Sequence, residues 1–308
     1  MRKYYLSRLV IAASLTSLGM VGTMTSAGAS PGGGRIAYSS LVPLTTPNVA
    51  SLGPEAYSFS QLGNEVTVGS DFHGQAITTA TLQMSSWACQ SGGWTASTGP
   101  CVTTPGATFS WPITLNIYNP PAPGSDTPGP LIDTVTQTFA IPYRPSSTPA
   151  LCGGDLGAWQ ASDGNCYNGI LSTVVFHLNG VKVPGTFVYG ISYNTSNHGP
   201  NPVGTAPCQS TSAGCPYDSL NIALSNDNPG ASGNDPNAGG NNVTVGTDTN
   251  PGTLWWDTTV GSFYCDGGTA GTGTFRLDSP DNACWGENSP YTSSPFYVPA
   301  IQFMTGSF

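Results

Sequence analysis

Charge is scarce in this chain. Asp, Glu, Lys and Arg make up only 7% of its 308 residues, against about 25% in an average soluble domain. Three histidines (His73, His177 and His198) and three glutamates (Glu55, Glu65 and Glu287) complete a thin inventory for acid–base chemistry. Glycoside hydrolysis needs two carboxyls roughly 5 to 10 Å apart, and no glutamate lies in an alternating stretch with a second carboxylate two residues away. The aspartates at Asp155, Asp163, Asp227, Asp235, Asp248, Asp266 and Asp281 sit among Gly, Asn and Ser, where turn chemistry accounts for them. The one G-x-S-x-G match, Gly28 to Gly32, follows no expected strand and opens no expected helix, so the nucleophile elbow of one large class of serine hydrolases is not indicated. No C-x-x-C occurs either, which argues against structural zinc.

Long apolar runs are missing too. The one candidate, Leu9 to about Gly22, is too short to span a membrane. It follows Arg2, Lys3 and Arg8 and precedes Ala27-Gly28-Ala29, the order of an export signal with its small-residue cleavage site. Residues 1–29 are therefore expected to be a signal peptide and 30–308 one extracellular domain. The C-terminus, Pro299 to Phe308, carries no hydrophobic tail, so release is expected over anchoring. Removing the signal leaves Arg35, Arg144, Lys182 and Arg276 against sixteen acids, a formal charge of −12. Nucleic acid and anionic membrane are poor partners for such a surface.

What the chain does have is alternation. Phe109, Trp111, Ile113, Leu115 and Ile117 fall on one face of an extended segment and Ser110, Thr114 and Asn116 on the other. Val135, Phe139 and Ile141 repeat the pattern, as do Val174, Phe176 and Leu178, then Phe187, Tyr189, Ile191 and Tyr193. Weaker versions run from Ile77 to Trp87, Leu220 to Leu224, Phe263 to Tyr264 and Tyr297 to Phe303. No stretch of twelve residues shows convincing helical periodicity. The pattern predicts an all-β fold: an antiparallel β-sandwich, jelly-roll or concanavalin-like, of about 10 to 12 strands. The Pro-rich segment Asn119 to Pro130 is read as a loop between neighbouring strands, and Ser225 to Asn250 as the most mobile region.

Eight cysteines fall into four close neighbours: Cys89 with Cys101, Cys152 with Cys166, Cys208 with Cys215, and Cys265 with Cys284. Many connectivities are open. Sequential pairing is the expected one, because each pair brackets one Gly-rich excursion. Each bridge would contribute roughly 2.5 to 3.3 kcal/mol by loop entropy. Since the chain is long enough to bury a core unaided, the bridges are expected to stiffen loops.

Trp94 and Trp159 lie inside these bracketed loops, Trp255 and Trp256 precede an expected strand, and Trp285 follows Cys284. An exposed indole on a rigid loop suits stacking on a sugar ring, so Trp94, Trp159, Trp256 and Trp285 are the candidate ligand-binding residues. The competing reading has these rings folded back as lids over the ends of the sandwich. Trp87 and Trp111 belong to strands and are expected in the core. Asn226-Asp227-Asn228 and Asn234-Asp235 offer oxygen ligands for a structural calcium, but lack the spacing of a dedicated calcium loop. No catalytic residue and no other cofactor is predicted.

The phrases Ser85-Ser86-Trp87-Ala88-Cys89, Phe139-Ala140-Ile141-Pro142-Tyr143-Arg144-Pro145-Ser146, Ile191-Ser192-Tyr193-Asn194-Thr195 and Tyr217-Asp218-Ser219-Leu220-Asn221 resemble a group of secreted proteins of actinobacteria and related bacteria. That group has no assigned activity, so the resemblance implies a bacterial extracellular β-protein and nothing about catalysis. Arg144 is expected to form a structural ion pair with Asp133 or Asp218. Three functions remain open at this point: a non-catalytic module binding carbohydrate or cell-wall glycan, a structural or interaction protein of the cell surface or spore coat, and a glycoside hydrolase.

Overall fold

Alternation over residues 109–117 becomes strand β5 (Thr108–Tyr118), in which Ile113, Leu115 and Ile117 are buried and Phe109 and Trp111 pack against the core edge. The strand turns back through 119–130 to pair antiparallel with β6 (Leu131–Pro142), with Thr114 opposite Thr136. The Pro-rich connection is closed by the Asn119 amide on the Pro130 carbonyl (2.9 Å) and the Gly129 amide on the Asn119 carbonyl (3.0 Å). It is a loop, as the sequence indicated.

The computed structural model describes residues 34–45, 47–72, 75–92, 99–193, 220–225, 243–250, 253–278 and 298–306. The expected signal peptide, Trp94, Trp285, Cys208, Cys215, Cys284 and both proposed calcium clusters lie outside these residues.

Two antiparallel sheets form the sandwich. One runs in the order β14 (Arg276–Asp278), β13 (Leu254–Thr258), β3 (Phe59–Thr67), β10 (Thr186–Ser192), β5, β6, with β12 (Thr247–Asp248) also on β3. The other runs β1 (Arg35–Ser39), β15 (Ile301–Thr305), β4 (Ala76–Ser86), β11 (Leu220–Ala223), β2 (Ser51–Leu52), with β9 (Ile170–Lys182) along the opposite edge of β4. A separate hairpin pairs β7 (Trp159–Gln160) with β8 (Cys166–Tyr167). Eleven of the described strands have three residues or more, within the number expected. The chain changes sheet at most of its long connections, which suits a jelly-roll or concanavalin-like sandwich.

The inner faces meet in an aromatic core. Phe303 of β15 packs edge-on against Phe187 (5.1 Å) and Tyr189 (5.4 Å) of β10, and Phe139 against Phe176 (4.9 Å). Such pairs add to the area term. Gln137 closes the gap between the sheets at one edge, its amide nitrogen donating to the His177 carbonyl (2.8 Å).

Local expectations differ in two places. Phe263 ends a short 3-10 turn, Gly261–Phe263, and starts no strand; Tyr264 folds inward, its hydroxyl accepting the Thr258 amide at 2.9 Å. Trp255 and Trp256 are inside β13, not ahead of a strand. Of Ser225 to Asn250, residues 226–242 are outside the description, while Thr247 and Asp248 pair with β3.

Candidate functional site

Two disulfides are formed as expected: Cys89–Cys101 and Cys152–Cys166, with Cα separations of 5.6 and 5.8 Å. Cys265 is disulfide-bonded as well. The second bridge closes the β7–β8 hairpin, and among the described residues this hairpin carries the one predicted tryptophan that combines accessibility with a rigid mount.

The hairpin is built from short-range chemistry. Gly164 adopts a left-handed conformation (φ 86°), open to glycine without strain. The Ala161 amide donates to the Asn165 carbonyl (2.9 Å) across the turn. One oxygen of Asp163 accepts the Asn165 amide (2.9 Å) and the other the Tyr167 hydroxyl (2.7 Å). These bonds, the tyrosine hydroxyl first, hold the Asp163 carboxyl below the usual aspartate range. It is a carboxylate at neutral pH.

Trp159 and Tyr167 are directly opposed across the two strands, so their side chains share a face. Their ring centroids are 6.0 Å apart with planes inclined at 42°. Both are half-buried. The Trp159 indole nitrogen is fixed by the Gly169 carbonyl at 2.9 Å. Gly169 must be glycine for packing reasons, because a Cβ there would lie 2.4 Å from the Trp87 ring. Trp87 is in turn tied to Ser85 (2.9 Å), and Ser85 to Asn48 (2.7 Å). Gln160 and Asp163 are exposed at the margin, with Asn165 beside them. The result is an aromatic face on a stapled mount with amide and carboxylate groups along its rim.

The other predicted residues are placed differently. Trp256 is fully buried: Tyr57, Phe59 and Tyr264 surround it, and its indole nitrogen donates to Asp278 (3.2 Å). It is a core residue and not a stacking platform. The signal that could have shown this is the alternation Leu254, Trp256, Thr258, which puts Trp256 on the inner face of β13. Trp94 and Trp285 lie outside the described residues. Trp111, expected in the core, is half-buried at its edge, and Trp87, also expected there, is half-buried.

Of the two partners expected for Arg144, Asp133 makes no ion pair with it, and Asp218 lies outside the described residues; the pair between Arg276 and Asp266 (2.9 Å) is the one present among them. Arg144 is 1% exposed and donates to the carbonyls of Gly157 and, at 3.0 Å, Asn168.

Perturbed carboxyls lie in the interior. Asp248 and Asp278 are each pushed up to about 6, chiefly by burial, and burial also raises Glu65, which accepts a bond from the Asn250 amide. All three are under 9% exposed. A shallow depression of about 340 Å³ is lined by Asp126, Asp266, Ala270 and Arg276. Its guanidinium is already engaged by Asp266 and lies 3.9 Å from the centre of the Tyr264 ring. Among the described residues, no group of three His, Cys, Asp or Glu side chains is placed to hold a metal. No helix among them is long and apolar enough to cross a membrane.

Comparison with protein-family models, with curated proteins and with solved structures found no match. Function is therefore argued from the site itself.

Proposed function

We propose that this is an exported, non-catalytic β-sandwich that binds polysaccharide or cell-wall glycan through the Trp159–Tyr167 face. The observation that carries the reading is the half-exposed aromatic pair on a disulfide-closed hairpin, rimmed by Gln160, Asp163 and Asn165. Apolar faces of pyranose rings match aromatic rings, and polar groups at the edge take the hydroxyls. A mount already ordered loses little entropy on binding. The N-terminal export pattern, the disulfides and the resemblance to secreted actinobacterial proteins support an extracellular setting.

The test is a titration of the full mature chain with soluble fragments of cellulose, chitin, xylan and peptidoglycan, followed by tryptophan fluorescence. At least one should quench or shift the emission, and Trp159→Ala should abolish the response with the circular dichroism unchanged. No response to any glycan, or an unchanged response in Trp159→Ala, would defeat the reading.

A second reading, a surface or coat protein that binds other proteins, is favoured by two apolar side chains beside the same disulfides. Leu151 is 61% exposed and Val102 54%. It predicts concentration-dependent association in sedimentation, which Leu151→Ser would weaken.

A further inference from the structure

The two stapled loops are joined through one buried cation. Arg144 follows β6, and its backbone amide donates to the Ala88 carbonyl (3.0 Å) next to Cys89. Its Nε lies 3.1 Å from the Cys89 sulfur, inside the first loop. Its Nη1 reaches in the other direction, to the Gly157 carbonyl, two residues before Trp159 in the second loop, and to the Asn168 carbonyl just beyond that loop. Residues after Arg144 continue the same bridge. Ser147 donates to the Cys101 carbonyl (2.9 Å), and the Ser146 hydroxyl accepts the Thr103 amide (2.9 Å). Thr148 then donates to the Ala158 carbonyl (2.9 Å), and its hydroxyl accepts the Gln160 amide (2.8 Å).

We propose that Arg144 is a positioning residue that makes the Cys89–Cys101 loop and the Trp159–Tyr167 hairpin a single cooperative unit. Only a planar fork of donors can serve the Gly157 carbonyl, the Asn168 carbonyl and the Cys89 sulfur together; a lysine ammonium is a point charge and reaches one of them. The buried guanidinium is bonded to carbonyls that shield it from the cost of losing water. Reduction or distortion of the first loop is thereby felt at the aromatic face, although Cys89 and Cys101 do not touch it in sequence. Its meaning for glycan recognition rests on the function proposed above; the coupling itself does not.

Native-state hydrogen exchange on the intact chain tests the coupling. In graded urea, the amides of Val102 and Thr103 at the base of the first loop and of Gln160 and Ala161 in the hairpin should open together, with one opening free energy and one urea dependence. Arg144→Lys should raise exchange at all four by about tenfold or more, with β5 and β10 unchanged. Should that variant fold poorly, the wild-type isotherms decide alone: separate urea dependences for the two loops overturn the proposal. Coupled opening without any glycan response leaves the coupling standing and removes the glycan reading. Glycan binding with independent opening does the reverse.

Discussion

Asp248 should make this protein more stable in mild acid than at neutral pH. It lies in β12 opposite Val66, which is fully buried, and is itself 8% exposed. One carboxyl oxygen accepts the Asn250 amide at 3.2 Å. Asn64, Tyr38 and Tyr189 share the surroundings; the Asn64 amide favours the anion, but not enough to offset burial. Among the described residues, no basic side chain is within ion-pair distance. Burial therefore raises the group from 3.8 to about 6. The folded chain holds this proton more tightly than the unfolded chain does, so the contribution is complete below about 3.8 and is lost as pH rises through about 6. A shift of about two units at about 1.4 kcal/mol each is worth about 3 kcal/mol. With a urea slope of about 3 kcal/mol/M, the midpoint at pH 4 should exceed that at pH 7 by about 1 M from this residue alone. Asp278, also near 6 and also buried, acts with the same sign. Urea unfolding at intervals from pH 4 to 7.5 measures the slope. Asp248→Asn, which cannot ionise, should remove about half of it. A flat profile in the wild type, or an undiminished slope in the variant, would refute the burial argument.

Three further outcomes follow from the packing. Trp256→Ala should cost about 3 to 5 kcal/mol in chemical denaturation, since it empties a fully buried site and strips Asp278 of its indole donor; a loss below about 1 kcal/mol would mean the ring is not in the core. Under limiting reductant, Cys152–Cys166 should open before Cys89–Cys101, because Cys166 is exposed whereas Cys89 and Cys101 are 0% and 1% exposed. Alkylation and mass spectrometry would show the order, and the reverse order would contradict it. Gly169→Ala should cost about 1 to 3 kcal/mol through its clash with Trp87 and alter the Trp159 environment, read by near-ultraviolet circular dichroism; an unperturbed spectrum would show that Gly169 does not hold the indole.

Much of the fold was written in side-chain alternation, because strands half-buried in a sandwich must show it. β5, β6, β9 and β10 were all legible for that reason. β3 was not, although it is flanked by β10 and β13 at the centre of its sheet. Its sequence, Phe59 to Thr67, buries polar residues on both faces: Asn64 inward, and Gln61 and Glu65 on the opposite face. Gln61 bridges to Tyr118 (3.0 Å) and Glu65 to Asn250, so a strand with no dry and wet side gives no period-two signal. Trp256 was misplaced because the adjacent Trp255 obscured the alternation of β13. At the site, the hairpin and its tryptophan could be read from the Cys152 to Cys166 spacing, whereas Tyr167 and Arg144 could not. Their roles depend on cross-strand register and on carbonyls distant in sequence.

We propose that the half-buried indole of Trp159 is a glycan platform. Indole N–H resonances of the isotopically labelled chain, followed during titration with the glycan that alters its fluorescence, test it most directly. The Trp159 signal, with that of neighbouring Trp87, should shift in proportion to saturation while those of buried Trp255 and Trp256 stay fixed. Saturation with the Trp159 signal unmoved would contradict it.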